Sequence, residues 1–268
     1  MNRGRRGRRN TESGEMQISE HELRSMTRDL EDLHDSTFPV VQKVLDEFAA
    51  NMVNVVRKPS TRRTFFLGAA GAVTLGTVAA CSTSATTTSP STVARADANT
   101  YTGDLKVVAL AAALENLAVS AYGLALKKAG AGELGAVPPA VAEFVTAAQK
   151  QHADHAIGWN SVLTKAGKPP VLDAPLTITA DQVAMLMAAK SVADAAKIAL
   201  GLEDAAAQTY TFATANVDDA GGITVAATIQ PVEAQHAAIL NFVLGQYPVP
   251  VSFIGVDAAV KPDTLKFS

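Results

Sequence analysis

Along residues 104–246 small and apolar side chains return every three to four positions, the period of a helix with one buried face. Val108, Ala112, Ala118, Val119 and Tyr122 form one such stripe, and Ala196, Leu200, Ala206, Ala207 and Tyr210 form another. The pattern predicts four helices. The first runs from about Asp104 to about Ala129, and the second from after Pro138-Pro139 to about Ala166. The third starts at Thr179, an N-cap candidate with Gln182 three residues on, and runs to about Asn216; the fourth spans about Gly222 to Gly245. Short Gly-containing segments join the first two and the last two, as in antiparallel hairpins. The middle connection, GKPPVLDAPLT (167–177), holds three prolines and reaches roughly 36 Å when extended, the length of a whole helix. The expected fold is therefore all-α: an antiparallel four-helix bundle with one long crossover between the second and third helices.

Composition agrees. The chain has 268 residues, 48% hydrophobic and only 5% aromatic, and its alanine-rich C-terminal two-thirds suits one helical domain with appendages. Charge is uneven: residues 82–268 hold 11 Lys/Arg against 16 Asp/Glu, a net of −5. Without a basic patch there, nucleic acid is excluded as a partner. Residues 1–57 read as a leader, partly helical or disordered: RGRRGRR (3–9) is basic, and the amphipathic pattern that follows is expected to break near Pro39. Either this leader is removed or translation starts further in, for instance at Met52; its histidines, His21 and His34, receive no role.

Residues 58–81 contain TRRTFFLGAAGAVTLGTVAAC, in which Arg62 and Arg63 precede a short, weakly apolar run ending in Val78-Ala79-Ala80-Cys81. The run is short for a membrane span. It resembles a twin-arginine export signal joined to a bacterial lipoprotein processing site, with Cys81 as the acylated residue. A Ser/Thr-rich linker follows over 82–103, and a proline-punctuated tail, 247–268, is expected to wrap back over the bundle. The resemblance implies an exported domain in the cell envelope, at the outer face of the cytoplasmic membrane or in the periplasm, held to the membrane by a lipid anchor.

The candidate chemistry lies where charge interrupts the apolar stripes. Glu115 sits within the first stripe and Glu203 within the second, and a buried carboxylate needs a partner. His152, His155, Glu233 and His236 are the candidates. At ~1.5 Å per residue all six fall in one layer, roughly 17–22 Å from one end of the bundle. An internal repeat supports this grouping. ALENLAVSAYGLA (113–125) aligns with GLEDAAAQTYTFA (201–213), and HAIGWNSVL (155–163) with HAAILNFVL (236–244), pairing Glu115 with Glu203, Tyr122 with Tyr210 and His155 with His236. Tyr122 and Tyr210 read as core fillers, Trp159 as bundle packing, and Asp154, Asp204 and Glu143 as solvent-facing.

These residues resemble the ferritin-like family across 104–246. In that family a glutamate from each of two helices and a Glu-x-x-His from each of the other two hold a di-iron or di-manganese pair. The resemblance assigns Glu115, Glu203, Glu233, His236 and His155 to five of the six ligand positions. It fails at the sixth, where the repeat places His152 instead of glutamate; the other alignment takes Gln149-x-x-His152 as the copy. Either way a carboxylate is missing, and a neutral imidazole offers one lone pair where a carboxylate can bridge two metals. Three outcomes are open: an altered di-metal pair of iron or manganese, a single iron, manganese or zinc ion, or a polar core that has lost metal. The resemblance thus implies metal ions as partners and a metal-dependent oxidoreductase acting on oxygen or peroxide, or a protein that sequesters iron. The alternative is a non-catalytic scaffold of the envelope. A homodimer is compatible with either. Phosphate-binding loops, a Gly-x-Ser-x-Gly elbow and a nucleophilic cysteine are absent from the sequence of the distal domain.

Overall fold

The computed structural model describes residues 19–57 and 100–267. Arg62, Arg63, Cys81 and most of the linker lie outside the described residues, as do residues 1–18. Among the described residues six α-helices and one 3-10 turn make up the regular structure. They are α1 (Glu20–Arg57), α2 (Asp104–Gly130), α3 (Pro139–Lys165), α4 (Thr179–Ala188), α5 (Val192–Thr214) and α6 (Ala220–Val243). One sequence expectation is corrected here: the predicted third helix is two, so residues 104–246 hold five helices, and α1 lies in the segment expected to be partly helical.

The division at residues 189–191 has a local cause. Ser191 is extended and its hydroxyl accepts from the Asp194 amide at 3.1 Å, while Asp194 Oδ2 accepts from the Lys190 amide at 3.1 Å. The first bond satisfies an orphan donor of α5, the second ties down the residue before the cap, and together they start a new helix without glycine or proline. Thr179, expected as a cap, is instead the first residue of α4, and its hydroxyl bonds the Ala174 carbonyl. Asp219 caps α6 through the amides of Gly221 and Gly222.

α2 packs chiefly on α3, and α5 on α6, with α2 also touching α5. α3 and α6 barely meet, because α1 lies between them. The buried face of α1 is a regular stripe: Leu23, Thr27, Leu30, His34, Val41, Leu45, Phe48 and Met52. Glycines admit it closely. A Cβ on Gly158 of α3 would stand 2.7 Å from Leu45 Cδ1, and one on Gly222 of α6 would stand 2.9 Å from Phe48 Cζ. Arg24 pairs with Glu143 and Lys150 with Asp35 along the rim, so Glu143 meets α1. The expected break at Pro39 does not occur. α1 continues through it with the proline on the exposed side, where water can serve the freed carbonyl, and packing on two helices outweighs a cost of about 3 kcal/mol.

The α4 end and the crossover are tied down by side chains. Buried Lys128 donates to the Met187 carbonyl and pairs with Glu133, both at 2.8 Å. Asn160 exchanges two bonds with the Val171 backbone, and Asn116 adds a third. The tail crosses the same region: Leu176 bridges Leu265, and the amide of Val260 donates to Thr209 Oγ1 at 2.8 Å. α2 is apolar and long enough to span a membrane by composition, but most of it is buried within the protein, as in a core helix. Phe48→Ala should lower stability by about 3–5 kcal/mol, the cost of emptying a fully buried aromatic site; denaturant unfolding of the whole chain measures this, and a loss below about 1 kcal/mol would mean that α1 is not docked.

Candidate metal centre

Four helices each present one side of the cluster. Glu115 comes from α2, His152 and His155 from α3, Glu203 from α5, and Glu233 and His236 from α6. All six are buried. His152 lies at the centre and uses both ring nitrogens: Nδ1 is 2.7 Å from Glu115 Oε2, and Nε2 is 3.1 Å from Glu203 Oε1. Nδ1 of His155 is 3.5 Å from Glu115 Oε1 and 3.3 Å from Glu233 Oε1. Nδ1 of His236 is 3.4 Å from both Glu203 Oε2 and Glu233 Oε2. Gln149 points elsewhere, its amide donating to the Val119 carbonyl.

The tyrosines are not fillers. Tyr122 donates to Glu203 Oε1 and Tyr210 to Glu115 Oε1, so each holds the glutamate of the other half of the repeat. Trp159 Nε1 donates to Tyr210 Oη at 2.9 Å, completing a chain from α3 through α5 to α2. The sequence signal was present: both tyrosines share their glutamates' stripes two turns on, and a buried hydroxyl seeks a partner.

Gln151 was missed in the sequence. Its Nε2 donates to the Leu30 carbonyl of α1 at 3.3 Å, and its Oε1 lies 3.0 Å from His236 Nε2. The carbonyl can only accept, so the amide oxygen must face the imidazole and His236 Nε2 must carry a proton. That leaves Nδ1 aimed at the cluster, oriented as a metal-ligating histidine is by its outer hydrogen bond. Gln151→Leu should weaken metal binding about 10–100-fold while the fold survives. Competition titration against a chelator reads the change, and unchanged affinity would show that the bond does not orient the ring.

His34 of α1 is also buried, stacked 4.9 Å from Phe38, with the tilted ring of His155 5.4 Å away. Burial first, and the His155 charge second, bring its pKa down to about 4, so it stands neutral beside the cluster.

Without metal the six groups balance each other's charge. Burial pushes the Glu115 carboxyl up, but the charge of His155 and the hydrogen bond from His152 outweigh it and hold the pKa at about 2. Glu203 is likewise held well below its ordinary value: burial raises it, and His152 and His236 overcome that. Burial lowers His155, yet Glu115 and Glu233 bring it up to about 9. His152 and His236 are also raised against burial, the first by Glu233 and Glu203 and the second by Glu203. Tyr122 and Tyr210 are pushed well above their usual range by burial and by the nearby carboxylates, so both stay protonated donors.

The balance is electrostatic and leaves hydrogen-bonding capacity unused. His155 Nδ1, Glu203 Oε2, both Glu233 oxygens and His236 Nδ1 are buried with no hydrogen-bond partner. Such orphaned atoms call for an occupant. Ligand atoms fall into two groups, each within 4.8 Å: Glu115, His152, His155, Glu233, and His152, Glu203, Glu233, His236. Nitrogen and carboxylate donors of this kind suit iron, manganese or zinc, and the residues present fit such an ion in each group.

Residues 103–246 match a family model described as a ferritin-like domain. No curated protein and no solved structure matches the chain.

Proposed function

The chain belongs to the ferritin-like domain family, and from that premise we infer that Glu115, His152, His155, Glu203, Glu233 and His236 form a di-metal centre for iron or manganese. The centre sits inside an antiparallel bundle of α2, α3, α5 and α6 whose long crossover precedes α4. The observation that carries this reading is the set of five buried, unpartnered ligand atoms in two overlapping four-residue groups. A redox-active metal bound there supplies electron exchange with an oxidant such as oxygen or peroxide. The residues of the chain do the rest. Tyr122 and Tyr210 fix the two single carboxylates, Gln151 fixes the His236 ring, and the apolar side chains around them keep water out.

Elemental analysis of the chain purified without chelator tests the reading. About two iron or manganese ions per chain are expected; none, even after anaerobic incubation with ferrous and manganous ions, would overturn it. That outcome would leave the scaffold reading, which one observation favours: three glutamates face three histidines across the core, and for His155 and Glu115 the mutual attraction outweighs burial without metal.

We also propose that the protein is exported and anchored through Cys81, on the strength of Arg62, Arg63 and the small residues before the cysteine. A cut ahead of Cys81 would fall between α1 and α2. Intact mass and N-terminal sequencing of the membrane-bound form decide the matter, and a chain that keeps residues 20–57 covalently attached would rule out that processing.

A further inference from the structure

Apolar side chains on the surface of a folded domain are ordinarily scattered, and a run of them marks a contact made with something else. Such a run follows α6. Tyr247, Val249, Val251, Phe253 and Val256 are all exposed; Tyr247 is 73% exposed, and Phe253, at 92%, is the most exposed large apolar side chain among the described residues. No Asp, Glu, Lys or Arg falls between Leu244 and Val256. The stretch is not a loose end. The Gln246 amide donates to the Asn241 carbonyl of α6 at 2.8 Å, and Asn241 Nδ2 donates to the Pro248 carbonyl at 3.4 Å. Downstream, the Ala258 amide donates to Gln208 Oε1 of α5 at 2.8 Å, and Val260 is buried. The apolar side chains are thus held out from a segment fastened to the bundle on both sides.

The backbone and the charge of the segment narrow what covers it. Pro248 and Pro250 have no amide hydrogen, so the segment cannot present the row of donors with which an edge strand adds another chain. Without a charge it gives a protein partner no electrostatic handle either. A lipid surface asks for neither. Its wet headgroup region serves the segment's amides and carbonyls, its acyl chains take valine and phenylalanine, and tyrosine suits the boundary between them. The tether supplies proximity. Cys81, outside the described residues, stands about 20 residues ahead of Thr100, roughly 65 Å of extended chain. The 27-residue helices α2 and α3 are about 40 Å long, so an anchor at Cys81 brings every side of the bundle within reach of the membrane. At such a high effective concentration a modest affinity suffices. The far end of the tail lies where the linker enters, with the ring of Phe267 5.3 Å from that of Tyr101. We propose that residues 247–256 form a lipid-facing edge that rests on the bilayer to which Cys81 is tethered and holds the bundle in one orientation above it. The proposal rests on the anchoring reading above and adds a second contact to it.

Trp159 is the only tryptophan of the chain and is 3% exposed, so Phe253→Trp adds a reporter on the edge while Trp159 reports on the core. The full chain carrying Phe253→Trp, reconstituted in phosphatidylcholine vesicles with brominated acyl chains, should lose tryptophan emission relative to vesicles without bromine. The unsubstituted chain should not. Residues 58–81 are apolar enough to carry the chain to vesicles by themselves, so the place of quenching decides and not binding as such. In the Cys81→Ser chain, titrated with the same vesicles, quenching at position 253 should need more lipid. Adding Val249→Ser and Val251→Ser to that chain should raise the lipid needed about tenfold further, as two side chains lose their apolar contact. A chain held on vesicles through an acylated Cys81 with no quenching at position 253 overturns the proposal and leaves the anchor standing. Quenching at position 253 in a chain whose mass shows Cys81 unmodified overturns the anchor and leaves the lipid-facing edge standing. Quenching of Trp159 in the unsubstituted chain overturns the proposal, because the bundle would then be opening on lipid. A lipid-free dimer that Phe253→Ser dissociates overturns it too and assigns the edge to a second copy of the chain.

Discussion

Glu233→Gln should lose both metal ions, whereas His155→Ala should lose one. Glu233 presents Oε1 toward His155 and Oε2 toward His236, at 3.3 and 3.4 Å, and so belongs to both ligand groups. Replacing one carboxylate oxygen by an amide nitrogen removes a donor from one group and a negative charge from the pair, with almost no change in shape. His155 serves one group only, so its loss leaves the other four-residue set whole. Elemental analysis and anaerobic calorimetric titration should therefore fall from about two ions per chain to none in Glu233→Gln and to about one in His155→Ala. Two ions retained by Glu233→Gln would refute the shared carboxylate.

Metal-free protein should be most stable near pH 6.5 and lose several kcal/mol as the pH rises toward 9. The sign follows from each group. His155 moves from 6.5 to about 9 on folding, and His152 and His236 also move upward, so their contributions are complete below pH 6.5 and are lost as the imidazoles give up protons through their folded values. For His155 alone the shift corresponds to about 3 kcal/mol. Glu115 falls from 4.5 to about 2 and Glu203 falls as well, so these contributions persist above pH 4.5 and disappear as the pH drops through the folded values. His34 has the opposite sign to the other histidines: held neutral down to about 4, it stabilises the fold above pH 6.5 and loses that contribution on acidification. Together these place the maximum near 6.5. Metal reverses the alkaline limb, because ligation needs neutral imidazoles and displaces their protons. Melting curves with and without chelator should diverge as pH rises from 6 to 9, and a metal-free melting temperature that stays level across that range would show that the imidazoles are already neutral.

The parts of the centre legible in the sequence were those written in spacing. Glu115 and Glu203 stood out as charge on apolar stripes, and the repeat led from them to His155 and His236. What spacing could not supply was reach between helices. The register of Tyr122 with Glu115 says nothing of its donating to Glu203 on another helix, and Gln151 looked like one polar residue among several in QKQH. The helix boundary at Ser191 was hidden because it rests on side-chain capping by Ser191 and Asp194 and not on glycine or proline. The continuity of α1 through Pro39 was hidden for a different reason. Pro39 argues for a broken segment when the amphipathic pattern is read alone, and the buried stripe finds its partners only once α3 and α6 leave a gap between them.

That gap makes α1 a ligand as much as a helix. While the chain is continuous, residues 58–103 keep α1 near its groove at a high effective concentration, so a modest intrinsic affinity suffices for docking. One cut in that stretch would make the association bimolecular, governed by a dissociation constant and by dilution. Gln151 joins α1 to His236, so the loss of α1 would loosen the orientation of a residue facing the cluster. A protein cut there would hold its metals less firmly the more dilute it became, and added peptide 20–57 would restore them.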